Sequence, residues 1–225
     1  MSLCGSNSNK KCYNLFMNNH IDCPVVILAG GKSSRMGSDK SLLPFDGYKT
    51  LIEYQYNKFQ KIFKKVYISF KQEDLEVTTK EDKFSFLKDR SLLIEDDNCI
   101  YSPMVALQTI LKGFKKNSYV FIVAVDIPFL TLQTIQKLYS NTLQKQYQVI
   151  LPIDKNNNTH NLCGFYNTNV LEEIDKLLLT DIHKIRILIQ TLDSSIIKFD
   201  TTEEFLNLND QKSYKIACDS LKFTK

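Results

Sequence analysis

The chain has 225 residues, of which 43% are hydrophobic, 24% charged and 11% aromatic. That composition excludes a disordered chain, a collagen-like fibre and a disulfide miniprotein, and it supplies enough apolar residues for one sizeable core. Lys+Arg at 29 against Asp+Glu at 25 leaves a formal charge of +4, and Lys doublets such as Lys64-Lys65 and Lys115-Lys116 read as solvated helix faces, so no nucleic-acid partner is expected.

Residues 1–22 are polar and unpatterned, with Asn at 7, 9, 14, 18 and 19, and read as a disordered extension ahead of a single domain over 23–225. Order is expected to begin at Pro24–Ala29, a short β-branched run that reads as a buried strand and is stopped by Gly30-Gly31. Residues 30–41 are small, polar and charged, as in a long loop. Ile52, Tyr56, Phe59 and Phe63 then fall on one face of a helix. Val66–Phe70 reads as a second strand, and 71–90 as loop or marginal helix.

Leu92–Ile94 predicts a short strand running into Glu95-Asp96-Asp97, and Leu107, Ile110, Leu111 and Phe114 a helical stripe. Tyr119–Val125 is the strongest strand signal, seven residues without a charge, ended by Asp126-Ile127-Pro128. A helix carrying Leu132, Ile135, Tyr139 and Leu143 follows, then strands at Val149–Leu151 and Leu162–Tyr166. Val170/Ile174/Leu177 and Ile182/Ile185/Ile189/Leu192 predict two further helices. A strand at Ile196–Phe199 and a C-terminal helix close the chain. Apolar strands alternating with amphipathic helices imply an α/β fold, a mostly parallel sheet covered on both faces.

The cysteines at 4, 12, 23, 99, 163 and 218 form no C-x-x-C and share no metal-ligand spacing with a His, so reduced thiols are the default. No apolar run approaches the ~20 residues of a membrane span, and the Asn/Ser-rich start lacks the apolar stretch of a signal peptide. A cytoplasmic protein without a membrane partner is expected.

Ligands of open α/β sheets bind outside the carboxyl ends of the strands. Two strands carry unusual polar residues there: Leu28-Ala29-Gly30-Gly31-Lys32-Ser33-Ser34-Arg35-Met36-Gly37-Ser38-Asp39-Lys40, and Asp126-Ile127-Pro128. If the two strands are parallel, a basic loop faces a carboxylate, a pairing suited to a polyphosphate with a divalent cation. Gly30, Gly31 and Gly37 would let the backbone take positive φ and approach phosphate oxygens. Arg35 would act as a fork and Lys40 as a point donor. The plain alternative is an exposed Gly/Ser loop. A Walker A loop is excluded, because the position five before Gly31 is Val26, and no G-x-G-x-x-G opens a helix.

The full string resembles L-A-[GA]-G-x-S-x-R-M-G-x-D-K, the signature of nucleotidyltransferases with a three-layer αβα Rossmann-like fold. Gly30, where related cytidylyltransferases usually carry Ala, makes it similar to the molybdenum cofactor guanylyltransferase family. Ile94-Glu95-Asp96 resembles the family's I-x-D, Asp126-Ile127-Pro128 its D-x-P and Asn207-Leu208-Asn209 its N-x-N, so the resemblance spans about residues 24 to 215. Departures are Ser102-Pro103-Met104-Val105-Ala106 for G-P-L-x-G, His160-Asn161-Leu162 for H-P-L, and Gln211 where the N-x-N is normally followed by Thr/Asp and Pro.

The resemblance implies transfer of GMP from GTP to Mo-molybdopterin with release of pyrophosphate. By match to the family, Leu28, Ala29, Gly30 and Gly31 hold the nucleotide with Lys40, Asp96 and Asp126. Lys40 neutralises the α-phosphate, Arg35 holds the leaving pyrophosphate and Asp126 binds Mg²⁺. Asn207 and Asn209 would contact the pterin, and His160 could reach a phosphate. Each has a structural alternative: Asp96 as the cap of the helix after it, Asp126 as a turn residue before Pro128, the Asn pair as helix caps, and His160 as a plain exposed loop residue. Other cofactor-biosynthesis or acceptor proteins are possible partners, and a monomer is expected. The competing readings are a cytidylyltransferase, a sugar-1-phosphate nucleotidyltransferase, or an inactive nucleotide-binding module.

Overall fold

A strand that is apolar at every position needs a cover on both faces, and Val25, Val26 and Ile27 of β1 (Val25–Leu28) are fully buried. The computed structural model describes residues 20–30, 39–71, 83–96, 100–144 and 146–222. Within them β1, β2 (Val66–Lys71), β3 (Leu93–Asp96), β4 (Tyr119–Ala124), β5 (Val149–Ile153), β6 (Cys163–Asn167) and β7 (Ser194–Lys198) form one sheet in the order β3-β2-β1-β4-β6-β5-β7.

Alternation along the strands sorts the core into two layers. Val25 and Ile27 share one face with Ile68, Phe121 and Phe165, covered by α1 (Leu51–Gln60), α3 (Leu132–Thr142) and α6 (Gln211–Lys222). Val26 shares the other with Ile122, Leu151 and Tyr166, under α2 (Pro103–Lys112), α4 (Leu171–Leu179) and α5 (Ile185–Thr191). The result is a three-layer αβα sandwich, as the sequence implies.

The sheet departs from all-parallel at one strand, β6, which pairs antiparallel with both β4 and β5. The reason is the connection: residues 154–162 join β5 to β6 without a helix, too short for the crossover that a parallel neighbour needs. Gly164 in β6 permits the close fit, since a Cβ there would lie 2.3 Å from the Ile150 carbonyl oxygen.

Element ends differ from expectation by a few residues. α1 stops at Gln60, leaving Phe63 buried in the turn beyond it. β4 ends at Ala124, α5 spans only Ile185–Thr191, and Leu192 lies past its end. Packing begins earlier than expected, at Ile21, which is buried and whose amide donates to the Ile62 carbonyl (2.8 Å). The rest of the expected extension, 1–19, lies outside the described residues. No helix among the described residues is long and apolar enough to cross a membrane.

Candidate active site

β1 has β2 on one side and β4 on the other, and both pairings are parallel. The chain winds outward from β1 through β2 to β3, then returns to place β4 on the opposite side. Strand order therefore reverses between β1 and β4, and a crevice opens at their carboxyl ends. Leu28 pairs in register with Ala124, so the segments that follow, 29–30 and 125–128, flank this crevice. A cleft of about 480 Å³ lies over it, running from Asp126 across the end of β1 to Lys71 and Asp96 at the ends of β2 and β3.

The two charges expected at the site meet. Lys40 Nζ donates to Asp126 Oδ2, and both side chains are largely buried. Local chemistry aims the lysine. Asp39 caps a 3₁₀ turn (Lys40–Leu42) by accepting from the Ser41 amide (2.9 Å) and hydroxyl (2.7 Å). Its second oxygen accepts from Lys83 Nζ at 2.5 Å, a lysine whose side chain is 1% exposed. The turn that carries Lys40 is thus tied to the fold from below. Asp126 follows β4 in a turn, as one of the two readings had it, and it also lines the cleft. Its Oδ1 is buried without a hydrogen-bond partner among the described residues.

Leu28, Ala29 and Gly30 line the cleft. The Leu28 carbonyl accepts from the Val125 amide (3.0 Å) and the Ala29 amide donates to the Ser69 carbonyl (2.8 Å), so both groups are engaged in the sheet. Gly30 does not have a positive φ, which corrects the expectation of a left-handed glycine here. Its constraint is packing: a Cβ would stand 3.1 Å from the Lys71 amide nitrogen at the end of β2. Gly31 and Arg35, with Gly37, lie outside the described residues.

Asp96 ends β3 and is 3% exposed. It does not cap the following helix. That cap is Ser102, whose hydroxyl accepts from the Met104 amide (3.2 Å) with Pro103 at the first helical position. The serine that replaces the family's first glycine therefore has a structural role. Asp96 Oδ2 lies 3.9 Å from Nζ of Lys71, which also donates to the Ile100 carbonyl (2.9 Å) and sits 4.1 Å from the Tyr101 ring centroid. Sequence reading missed Lys71, although a charge that ends an apolar strand is the same signal that singled out Asp126. Lys83 was missed too, and the weakly patterned stretch around it offers no signal.

On the far side of Asp126, the Leu208 amide donates to the Asp126 carbonyl (2.9 Å) and brings Asn207 and Asn209 beside the carboxylate's backbone. The Asn pair does not cap α6. Asp210 does, accepting from the Ser213 amide at 2.7 Å. Nor is His160 a plain exposed loop residue: its ring stacks on Phe205 (4.6 Å, 17°) with Nε2 3.3 Å from Asp154 Oδ2. Burial pushes the Cys163 thiol up to about 12, which removes it as a nucleophile. No group of three His, Cys, Asp or Glu among the described residues could hold a metal by itself.

The profile of the MobA-like NTP transferase domain matches residues 25–195. A molybdenum cofactor guanylyltransferase of Campylobacter jejuni subsp. doylei is 38% identical over 207 residues, 91% of this chain and 98% of its own. One from Helicobacter pylori G27 is 31% identical, covering 88% of this chain and 93% of its own. Among solved structures, the molybdopterin-guanine dinucleotide biosynthesis protein A of Archaeoglobus fulgidus superposes with a TM-score of 0.71 at 20% identity. It covers 89% of this chain and 99% of that one, a likeness of fold.

Proposed function

The chain belongs to the molybdenum cofactor guanylyltransferase family of MobA-like NTP transferases, and on that premise we propose that it transfers GMP from GTP to Mo-molybdopterin, releasing pyrophosphate. The observation that carries the reading is the Lys40–Asp126 pair across the β1–β4 crevice, the place where this sheet topology binds ligands.

The chemistry asks little of the protein beyond placement and charge. The terminal phosphate of molybdopterin is ionised and is already a nucleophile. One of its oxygens bonds to the α-phosphorus of GTP as the bond from that phosphorus to the bridging oxygen breaks, and pyrophosphate departs with the electron pair. No general base is required, in keeping with a site of lysines and carboxylates. Lys40 places its ammonium against the α-phosphate, where charge builds in the transition state. Arg35, by its place in the signature, holds the departing pyrophosphate. Gly30 and the Ala29 carbonyl supply backbone contacts, with Leu28 as cleft wall, and Asp96 holds base or ribose at the far end. Asn207 and Asn209 contact the acceptor.

The donor set fits a divalent cation. A buried carboxylate oxygen without a hydrogen bond is costly unless a cation takes that place, and Mg²⁺ uses one or two carboxylates together with substrate phosphates. Asp126 would hold it. When bound, Mg²⁺ supplies positive charge along the phosphate chain.

A thermal-shift panel with GTP, CTP, UTP and ATP in Mg²⁺ tests the nucleotide, followed by pyrophosphate release on addition of Mo-molybdopterin. Concentration-dependent stabilisation by GTP above the other three, and release with the pterin, are expected. Preference for CTP would replace the guanylyltransferase with a cytidylyltransferase.

A further inference from the structure

Gln55 is a polar residue with no exposed surface, set in the apolar face of α1 between Leu51, Ile52, Tyr56 and Phe59. Burying an amide there is costly unless its polar atoms are satisfied. Only one end is. Nε2 donates to two carbonyls, Val125 (3.2 Å) and Ile127 (2.8 Å), while Oε1 is buried without a hydrogen-bond partner among the described residues. Two acceptors converging on one atom require the NH₂ end to face them, so the side chain serves as a double donor. A leucine would fill similar space without the orphaned oxygen but would leave the Val125 and Ile127 carbonyls without this donor, so the glutamine is kept for the segment it holds.

The two carbonyls flank Asp126. One turn further along the same helix, Lys58 Nζ donates to the Pro128 carbonyl (2.6 Å), and Leu208 covers the Asp126 carbonyl from the other side. All four carbonyls of 125–128 thus accept from groups outside that segment. Those peptide planes cannot rotate without breaking a bond to α1 or to residue 208. Those planes fix the direction in which the Asp126 Cα–Cβ bond leaves the backbone, and Lys40 on Oδ2 then holds the carboxylate at its end.

We infer that Gln55 and Lys58 are positioning residues for Asp126, holding the 125–128 backbone so that the carboxylate meets the divalent cation that accompanies the nucleotide. The inference rests on the metal role proposed for Asp126. Metal ligands depend on such outer partners, whose removal costs 10–100-fold in affinity or activity. Neither residue is among those lining the cleft.

The test is Mn²⁺ binding followed by electron paramagnetic resonance, with GTP present and no pterin acceptor, on wild type, Gln55→Leu and Lys58→Met. Gln55→Leu is expected to stay folded but to melt a few degrees below wild type, because two buried carbonyls lose their donor, and to bind Mn²⁺ about 10-fold more weakly. Its pyrophosphate release with Mo-molybdopterin should be low at limiting Mg²⁺ and recover as Mg²⁺ is raised, with the KM for GTP little changed. Lys58→Met should behave alike, and Lys58→Arg should restore metal affinity in part. Unchanged Mn²⁺ affinity in folded Gln55→Leu and Lys58→Met would overturn the inference. So would a rate deficit that excess metal leaves uncorrected, since that marks a purely structural defect. Wild-type protein that binds GTP without Mn²⁺ would instead remove the metal role of Asp126, and the inference with it.

Discussion

Asp126→Asn separates chemistry from folding at one atom. The substitution keeps the size of the side chain and its place after β4 but removes the charge that Lys40 and the proposed cation share. In the absence of nucleotide its cost is the ion pair. Two unit charges in contact attract by roughly 4 kcal/mol at an effective dielectric of about 20. Desolvation of side chains 24% and 11% exposed offsets much of that. A net of about 1–2 kcal/mol is expected, above the ~0–1 of an exposed pair and below the ~3–5 of a fully buried one. At about 2–4 °C per kcal/mol for a chain of this size, the melting temperature should fall by about 2–8 °C. Turnover should fall much further, by at least about 10³, because losing a metal ligand exceeds the 10–100-fold loss of a group that only orients one. Lys40→Ala breaks the same pair, so the stability losses of the two variants should not add in the double variant. Its rate should drop by roughly 10²–10³, as for removal of one donor to a developing charge. Lys32→Ala, in the same signature but off the family's fixed positions, should do much less. The assay is pyrophosphate release with GTP, Mg²⁺ and Mo-molybdopterin, beside a circular-dichroism melt of each variant. Release within tenfold of wild type from folded Asp126→Asn would refute the metal assignment. Equal losses at Lys32 and Lys40 would reduce the signature's lysines to a diffuse positive charge.

Gly164→Ala forces a Cβ to within 2.3 Å of the Ile150 carbonyl oxygen and 2.6 Å of the Leu151 side chain. It should destabilise the protein by about 2–3 kcal/mol, and a denaturant midpoint equal to wild type would show that β5 and β6 can move apart freely. Lys83→Met removes the donor beneath Asp39, and kcat should fall about tenfold as the Lys40 turn loosens; an unchanged kcat in folded protein would mean that the serine contacts suffice. Because burial raises the Cys163 thiol to about 12, its thiolate fraction at pH 8 is on the order of 10⁻⁴. Alkylation at that pH should mark half-buried Cys218 well before Cys163, and early modification of Cys163 in folded protein would contradict its burial.

Much of the architecture was legible because its cause is local. A run such as Tyr119–Val125 has no polar face to expose, and the stripe through Ile52, Tyr56 and Phe59 has only one to bury, so strand, helix and the three layers follow from side-chain periodicity. The candidate site was legible for a related reason: polar residues that abruptly end apolar strands mark the carboxyl edge of a sheet. Asp126 and the 28–40 stretch could be named in this way; the length of the signature supplied the family, and Asp96 came from its match to that family.

What only the tertiary structure decided depends on which distant segments meet. The antiparallel placement of β6 hangs on a helix-free link of residues 154–162, whose meaning appears only once β5 and β6 lie side by side. Ser102 rather than Asp96 caps α2, a matter of where the helix starts within a few residues, which periodicity does not resolve. The packing demand on Gly30 comes from the backbone of β2, about forty residues on. In sequence Gln55 is one polar position among several on α1; its two hydrogen bonds exist because the fold carries residues 70 and 72 positions later beneath it. Residue types record what a segment can do alone, whereas the support of the Asp126 carboxylate is a relation between segments that only folding brings within hydrogen-bond reach.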